Sequence, residues 1–225
     1  MIKDLFTPEF SAGICSGFIQ NVVGHPLDTI KVLSQNKKLH TLNLLNIYKG
    51  FSFPLYKLVI TNSIAFDLNE RLKSNNITNR FITGAITGAA ISPIVYFFDV
   101  FKIKKQNNMK YNFRDFIKPQ CMYLSFLRET IAYSVYFGSY FGMKDYGISP
   151  FFAGGIAGCI NWTSTYPIDT IKTRAITFDK TIKEYILMGN IWKGYRICVF
   201  RAFLVNSAGF QTYELALKYI KDYTN

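Results

Sequence analysis

The chain has 225 residues, of which 49% are apolar, 17% aromatic and 18% charged, and its formal net charge is +12. A soluble domain usually carries about 25% charged residues, so this composition favours a membrane protein or a nucleic-acid binder. Residues 8–30 contain no Lys or Arg, and the cations are concentrated in particular connections. This distribution argues against a basic nucleic-acid face, so we expect no nucleic-acid partner.

Six apolar stretches follow one another along the chain. They lie near 9–34, 52–72, 80–104, 120–143, 150–174 and 194–219. Each can supply the roughly 20 residues that cross a bilayer as a helix. Polar residues interrupt them at helical spacing, which lowers the mean hydropathy to +0.11. Helices that line a water-filled cavity have this pattern, so we predict an all-α membrane protein with six transmembrane helices around a central cavity.

The first, third and fifth stretches repeat one motif. A GxxxG segment precedes a segment of the form Pro-x-Asp-x-x-Lys, and the three copies start 71 and then 70 residues apart. The copies occupy 13–17 with 26–31, 84–88 with 97–102, and 154–158 with 167–172. The repeat predicts three pseudo-symmetric units, 1–74, 75–146 and 147–225, and the glycines predict close helix contacts.

The Asp and Lys of each copy lie three residues apart and share a helix face. A local pair within each helix is one interpretation. The other is a ring of pairs between neighbouring helices, which we favour because charges in a membrane need firm partners. The ring would comprise Asp28–Lys102, Asp99–Lys172 and Asp169–Lys31. Pro26 and Pro167 predict helix kinks, whereas copy two has Phe97 in that position.

The even-numbered stretches share a second pattern. Each has a cation in mid-stretch with a phenylalanine nine residues later. The cations are Lys57, Arg128 and Arg201, and the phenylalanines are Phe66, Phe137 and Phe210. A lone cation in an apolar run often extends to the membrane surface, but mid-stretch positions favour a binding role. For Tyr133, Tyr136 and Trp162, lining the cavity and packing in the core remain equally open.

The loops predict the orientation in the membrane. The connections within units, 36–50, 104–119 and 173–193, hold three, five and four Lys/Arg, whereas those between units, 74–80 and 145–149, hold one and none. By the positive-inside rule the long connections face the side equivalent to the cytoplasm, and both termini lie opposite.

The three Pro-x-Asp-x-x-Lys copies resemble the signature of the mitochondrial carrier family, and the resemblance covers nearly the whole chain. Segments 69–73, 140–144 and 213–217 resemble the family's second signature. The resemblance implies short matrix-side helices and two gates that open alternately. The matrix gate would be formed by Asp28, Lys31, Asp99, Lys102, Asp169 and Lys172, with Gln35 and Gln106 beneath it. The cytosolic gate would be formed by Glu70, Lys73, Lys144 and Glu214, and the substrate site by Lys57, Arg128, Glu129 and Arg201.

The second signature is incomplete, because Phe141 stands where an acid is expected and Leu217 where a base is expected. We predict that the acid of each even helix meets the base of the next. The resulting contacts would be Glu70–Lys144, Glu214–Lys73 and Phe141–Leu217. With two ion pairs here against three at the matrix gate, the resting carrier should be open to the cytosol.

The resemblance implies an exchanger of small molecules in the mitochondrial inner membrane, with the bilayer and its cardiolipin as partners, no cofactor and a monomeric state. No ATP-binding loop, catalytic triad or metal cluster points to an enzyme. Three site cations against Glu129 narrowly favour nucleotide-like anions. The Arg128–Glu129 pair instead resembles the amino-acid and carnitine branch of the family, and a non-transporting scaffold or proton leak is a further alternative. The excess of Lys over Arg is typical of an AT-rich genome, such as that of a giant virus, whose host would then supply the mitochondrion.

Overall fold

The computed structural model describes residues 7–35, 48, 51–106, 110, 112–178, 181–192 and 194–224, with backbone alone at 28–35, 53, 105–106 and 224. The helices are α1 (Pro8–Gln35), α2 (Ser52–Ser74), α3 (Arg80–Gln106), α4 (Pro119–Asp145), α5 (Pro150–Thr177), α6 (Ile182–Leu187) and α7 (Tyr195–Thr224). A 3-10 helix covers Phe113–Phe116. No strand occurs among the described residues.

All six apolar stretches form long helices, and their observed ends lie close to the predicted ones. Pro119 and Pro150 stand at the first position of α4 and α5, where a missing N–H costs nothing and the fixed φ suits a helix. The long helices have 23 to 30 residues, and at 1.5 Å per residue they are about 35–45 Å long. Pro26, Pro93 and Pro167 lie inside α1, α3 and α5.

The six long helices form a closed ring in which each contacts the next. The order around the ring is α1, α2, α3, α4, α5 and α7, and α7 packs back against α1. Consecutive pairs α1–α2, α3–α4 and α5–α7 belong to the three repeats. Contact is sparsest at the seam between α2 and α3.

The repeated glycines bring the two helices of each repeat together, as the sequence predicts. A Cβ on Gly13 would lie 2.6 Å from Ser63 Cα of α2, one on Gly84 would lie 2.8 Å from Ser134 Cα of α4, and one on Gly154 would lie 2.7 Å from Phe210 Cβ of α7. Distances this short leave no room for a side chain. Glycine is therefore required where each odd helix crosses its partner.

Many large apolar side chains are exposed in the structure, including Phe81, Phe126 and Phe152. By length and composition, one helical segment of the described residues, Arg80–Lys104, could cross a membrane, with a mean hydropathy of 1.7. The sequence predicts six spanning helices. The other long helices fall short of this hydropathy because they carry polar residues, many of which line the central cavity.

Short helices occur in the long connections of the second and third repeats. In the 3-10 helix, Asn112 and Asp115 form a capping box, and buried Asp115 accepts a hydrogen bond from Lys104. Burial would raise the pKa of the Asp115 carboxyl, but hydrogen bonds from Lys104 and from the Asn112 backbone hold that pKa below its ordinary value. Thr181 and Glu184 form a second capping box at α6. Most of the corresponding connection in the first repeat lies outside the described residues.

Candidate functional site

A cavity of about 720 Å³ lies inside the helix ring and is lined by residues of all six long helices. This volume is within the range of sites that bind small molecules. Five cations and three carboxylates line it, together with several amides and aromatic rings. The lining residues that carry charge are Lys57, Asp99, Lys102, Arg128, Glu129, Asp169, Lys172 and Arg201.

Asp99 of α3 is shared between two lysines from other helices. Its Oδ1 pairs with Lys57 Nζ of α2, and its Oδ2 lies 2.7 Å from Lys172 Nζ of α5. The Lys172 side chain is only 2% exposed, and its Nζ also lies 3.7 Å from Glu129 and 3.7 Å from Asp169. A buried ammonium group of this kind requires carboxylate partners, and here three of them surround it.

Arg128 of α4 continues this chain of charges. Its Nη1 donates to both carboxylate oxygens of Glu129 at 2.7 Å, and its Nε lies 3.5 Å from Asp169 Oδ1 of α5. The guanidinium also lies 5.3 Å from the centre of the Trp162 ring, within the range of a cation–π interaction. Lys57, Asp99, Arg128, Glu129, Asp169 and Lys172 therefore form one ion network, the name used for these six residues below.

The ion network joins residues that the sequence assigned to two separate sites. Asp99 and Lys172 are in contact, which is the pairing the sequence predicts for them. The side chains of Asp28, Lys31, Gln35 and Gln106 lie outside the described residues, so the other matrix-gate pairs stay predictions. Lys102 lines the cavity as well.

Arg201 of α7 lies in the same cavity as Lys57 and Arg128. A Cβ on Gly24 of α1 would come within 3.1 Å of its Nη2, so the glycine leaves room for the guanidinium. The three cations at matching repeat positions thus converge on one space from α2, α4 and α7. Tyr133, Tyr136 and Trp162 line the cavity too, and Tyr133 and Tyr136 also pack against the buried core.

Several cavity amides escaped the sequence analysis. Asn62 donates to Gln20 at 2.9 Å, and Tyr136 donates to Asn206 at 2.6 Å. Asn62, Tyr133 and Asn206 each stand five residues after the repeated cation. Alignment of the repeats at this position would have found Asn62 and Asn206, whereas Gln20 has no such signal.

An aromatic cluster closes the ring at the end where α2 and α4 finish. Phe66 lies 5.6 Å from both Phe137 and Phe210 between ring centres, and all three are buried. Tyr140 stacks on Phe210 at 3.5 Å, and Tyr213 stacks on Phe66 at 3.7 Å. These five residues, called the aromatic cluster below, do not line the cavity. They pack together beyond the cavity, on the side of the inter-repeat loops.

The predicted direction of pairing at this end is wrong. Glu214 lies 3.0 Å from Lys144, and Phe141 contacts Lys73, so these two acid positions meet the base of the preceding even helix rather than the next. By charge count alone, this direction would leave Lys73 and Glu70 without partners. In the structure Lys73 lies 3.5 Å from the centre of the Phe141 ring and 3.2 Å from Glu70. The face of the Phe141 ring and the local pair with Glu70 therefore stabilise the Lys73 ammonium in place of the missing carboxylate.

The expectation that the resting carrier opens at this end rested on the same pairing. In this structure the aromatic cluster and the Lys144–Glu214 pair close it. Tyr140 strengthens the pair, since its hydroxyl donates to Glu214 at 2.7 Å.

Comparison with known proteins finds carriers. The family model described as mitochondrial carrier protein matches residues 144–224. The mouse protein solute carrier family 25 member 45 is 26% identical, over 93% of this chain and 98% of its own length. The human mitochondrial basic amino acids transporter is 27% identical, over 95% of this chain and 90% of its own. Mitochondrial ornithine transporter 1 of Schizosaccharomyces pombe is 25% identical, over 92% and 90%. The chain is thus similar to members of the mitochondrial carrier family over nearly its whole length.

Proposed function

We propose that this protein exchanges basic amino acids, of the arginine, lysine and ornithine class, across the mitochondrial inner membrane. Its relatives are all carriers, that is, transporters and not enzymes. Relatives named for basic amino acids, arginine and ornithine support the substrate class. The nucleotide-like anion that the sequence narrowly favoured has no such support, and the amino-acid alternative replaces it.

The charge arrangement of the cavity is the observation that carries this proposal. In the sequence, three cations stand against Glu129 alone, and this excess of positive charge suits phosphates. In the structure Lys57 pairs with Asp99, and Arg128 contacts both Glu129 and Asp169. A nucleotide would have to displace these carboxylates from the cations. A solute that carries both a positive and a negative charge can bind among them.

A basic amino acid matches this mixture of charges. Its α-carboxylate would pair with Arg201 or Lys57, which face the cavity from α7 and α2. Its cationic side chain would lie toward Glu129 and Asp169, near the face of Trp162. The solute would therefore bridge helices of different repeats, as alternating access requires.

The test is uptake into proteoliposomes that contain the purified carrier. Labelled arginine, lysine and ornithine are compared with ADP, ATP and carnitine, each against an internal pool of the same solute. We expect rapid exchange of the basic amino acids and none of the nucleotides. Nucleotide exchange without arginine exchange would refute the proposal, and carnitine exchange alone would favour the other branch of the family.

Glu129→Gln sharpens the test, because Glu129 is buried and bound to Arg128. Removing a charged hydrogen-bonding partner costs about 1.5–3 kcal/mol, so arginine uptake should fall by roughly 10- to 150-fold. Asp222→Asn is the matched control, since Asp222 is exposed at the end of α7. Equal uptake by the two variants would contradict the assigned role of Glu129.

A further inference from the structure

The cavity has two chemically different ends. One end holds the ion network, and the end next to the aromatic cluster is lined by uncharged polar side chains. Four of these side chains, from α1, α2, α4 and α7, are called the polar layer below: Gln20, Asn62, Tyr136 and Asn206. A solute that fills the cavity therefore meets charges at one end and neutral hydrogen-bonding groups at the other.

Hydrogen bonds and packing hold the amides of the polar layer in one orientation. Asn62 Nδ2 donates to Gln20 Oε1 at 2.9 Å. The nitrogen of Gln20 lies against Gly209 of α7, where a Cβ would come within 2.2 Å of it. Asn206 Oδ1 accepts from the Tyr136 hydroxyl at 2.6 Å, and its Nδ2 donates to the backbone of its own helix at 2.7 Å. Both groups of the Asn206 amide thus have partners.

Asn62 has one group that is not used in this way. Its Oδ1 accepts no hydrogen bond from the described part of the chain, and the oxygen is open to the cavity. An amide oxygen is only an acceptor, so its ligand must be a donor. A cationic donor binds more strongly than a neutral one, because a charge-assisted hydrogen bond is about twice as strong. The geometry of Asn62 therefore suits an ammonium group.

The proposed substrate brings an ammonium group to this place. Its α-carboxylate is assigned to Arg201 or Lys57, and its side-chain cation to the region of Glu129 and Asp169. The α-ammonium still needs an acceptor close to the α-carboxylate. Asn62 stands five residues after Lys57 on α2, about 7.5 Å further along the helix. Two hydrogen bonds of about 2.8 Å, joined by the head group of an amino acid, span such a distance.

We propose that Asn62 is a specificity-determining residue that accepts a hydrogen bond from the α-ammonium of the substrate. Gln20 is the positioning residue, since it holds Asn62 Nδ2 and so turns Oδ1 toward the cavity. The pair selects α-amino acids against carboxylates that lack the amino group. This inference rests on the proposed function, because it takes the α-carboxylate position from it.

The test compares arginine with two analogues as inhibitors of labelled-arginine exchange in proteoliposomes. δ-Guanidinovalerate is arginine without its α-amino group, and agmatine is arginine without its carboxylate. In the unaltered carrier, arginine should bind about 10- to 150-fold more tightly than δ-guanidinovalerate, the ratio expected for one charged hydrogen bond. In Asn62→Leu, arginine and agmatine should both weaken by such a factor, and δ-guanidinovalerate should bind as before.

Thr61→Val is the matched control. Thr61 also lines the cavity and is almost isosteric with valine, but its hydroxyl donates to the backbone of its own helix at 2.8 Å. The ratio of arginine to δ-guanidinovalerate should stay unchanged in this variant. If Asn62→Leu weakens all three ligands equally, Asn62 acts on the shape of the site alone and the proposal is overturned.

Asn62→Asp gives an independent result if Asn62→Leu does not fold. The aspartate keeps the size and the acceptor and adds a negative charge, so the ratio in favour of arginine should rise. An unchanged or smaller ratio would contradict the assigned contact. The ligand-induced rise in unfolding temperature of the purified carrier reports the same ratio without transport.

Gln20 is tested by the same ratio. Gln20→Leu should lower it, because Asn62 Nδ2 loses its acceptor and the amide can turn. Gln20→Glu keeps an acceptor and should retain the ratio, whereas an equal loss in both variants would overturn the positioning role. If another amino acid is exchanged in place of arginine, the proposed function fails. That amino acid and its own deamino analogue then decide the role of Asn62 by the same comparison.

Discussion

The aromatic cluster and the ion network lie at two levels of one helix ring and hold it by different contacts. In the aromatic cluster, buried rings from α2, α4 and α7 stack on one another. In the ion network, single carboxylates such as Asp99 are shared between cations of different helices. Ring packing does not depend on the charge of a ligand, whereas a shared carboxylate responds directly to it.

The difference indicates how one fold can close its cavity stably and still respond to a solute. Under the proposed function, the level that would contact the solute is built from charges that a charged solute can rearrange. The other level is built from apolar area, which changes only when whole helices move. If the two levels are as distinct as their contacts indicate, substitutions in the ion network and in the aromatic cluster should affect transport in different ways.

The largest effect is expected from Asp99→Asn. The substitution leaves buried Lys172 and nearby Lys57 without their shared carboxylate, and breaking a buried ion pair costs about 3–5 kcal/mol. Arginine exchange should be nearly abolished and the unfolding temperature clearly lowered. Exchange assays and thermal unfolding measure both, with Asp222→Asn as control. Normal exchange would show that the ion network is not part of transport.

Phe137→Ala should destabilise the aromatic cluster by about 3–4 kcal/mol, because Phe137 is completely buried among other rings. Unlike Asp99→Asn, it should leave substrate selectivity unchanged while the liposomes lose internal solute faster. Phe126→Ala is the matched control, since Phe126 lies on the same helix but is 47% exposed. A change in selectivity would break the distinction between the two levels.

Asn69→Leu should stabilise the carrier by about 1–2 kcal/mol. Asn69 is 0% exposed, and neither side-chain N nor O has a hydrogen-bond partner among the described residues. It stands at the repeat position of Tyr140 and Tyr213, which both stack in the aromatic cluster. Removing an unsatisfied amide recovers its desolvation cost. Thermal unfolding should show the gain and exchange should slow, whereas Asn69→Asp should lower the unfolding temperature.

The smallest effect is expected where Phe141 replaces a carboxylate. Phe141→Leu removes the ring that lies 3.5 Å from Lys73, a loss of about 0.5–1 kcal/mol. Phe141→Tyr keeps a ring and should behave like the natural protein. A double-mutant cycle with Lys73→Met isolates the contact, since the cost of Phe141→Leu should shrink once the ammonium is gone. An unchanged cost would mean that Phe141 acts by packing alone.

The sequence repeats predicted the charged residues of the cavity better than they predicted the aromatic cluster. Lys57, Arg128 and Arg201 stand at one repeat position, so their convergence followed from the symmetry. The three phenylalanines follow the same rule, and the sequence identified them without assigning them a role. The direction of pairing at Lys144 and Glu214 could not be predicted, because it depends on which neighbour each helix leans toward. A count of charges favours the wrong direction, because it does not include an aromatic ring that takes the place of a carboxylate.

The sequence by itself determined the six helices and the close crossings at the repeated glycines, and it predicts their grouping in three units. These features depend on local periodicity and on steric limits that act over a few residues. Only the tertiary structure decided that Lys57 reaches Asp99, that the central cations and the predicted matrix gate form one ion network, and that Lys73 faces Phe141. Those contacts depend on the reach of long side chains across helix seams, and residue spacing along the chain does not encode that reach.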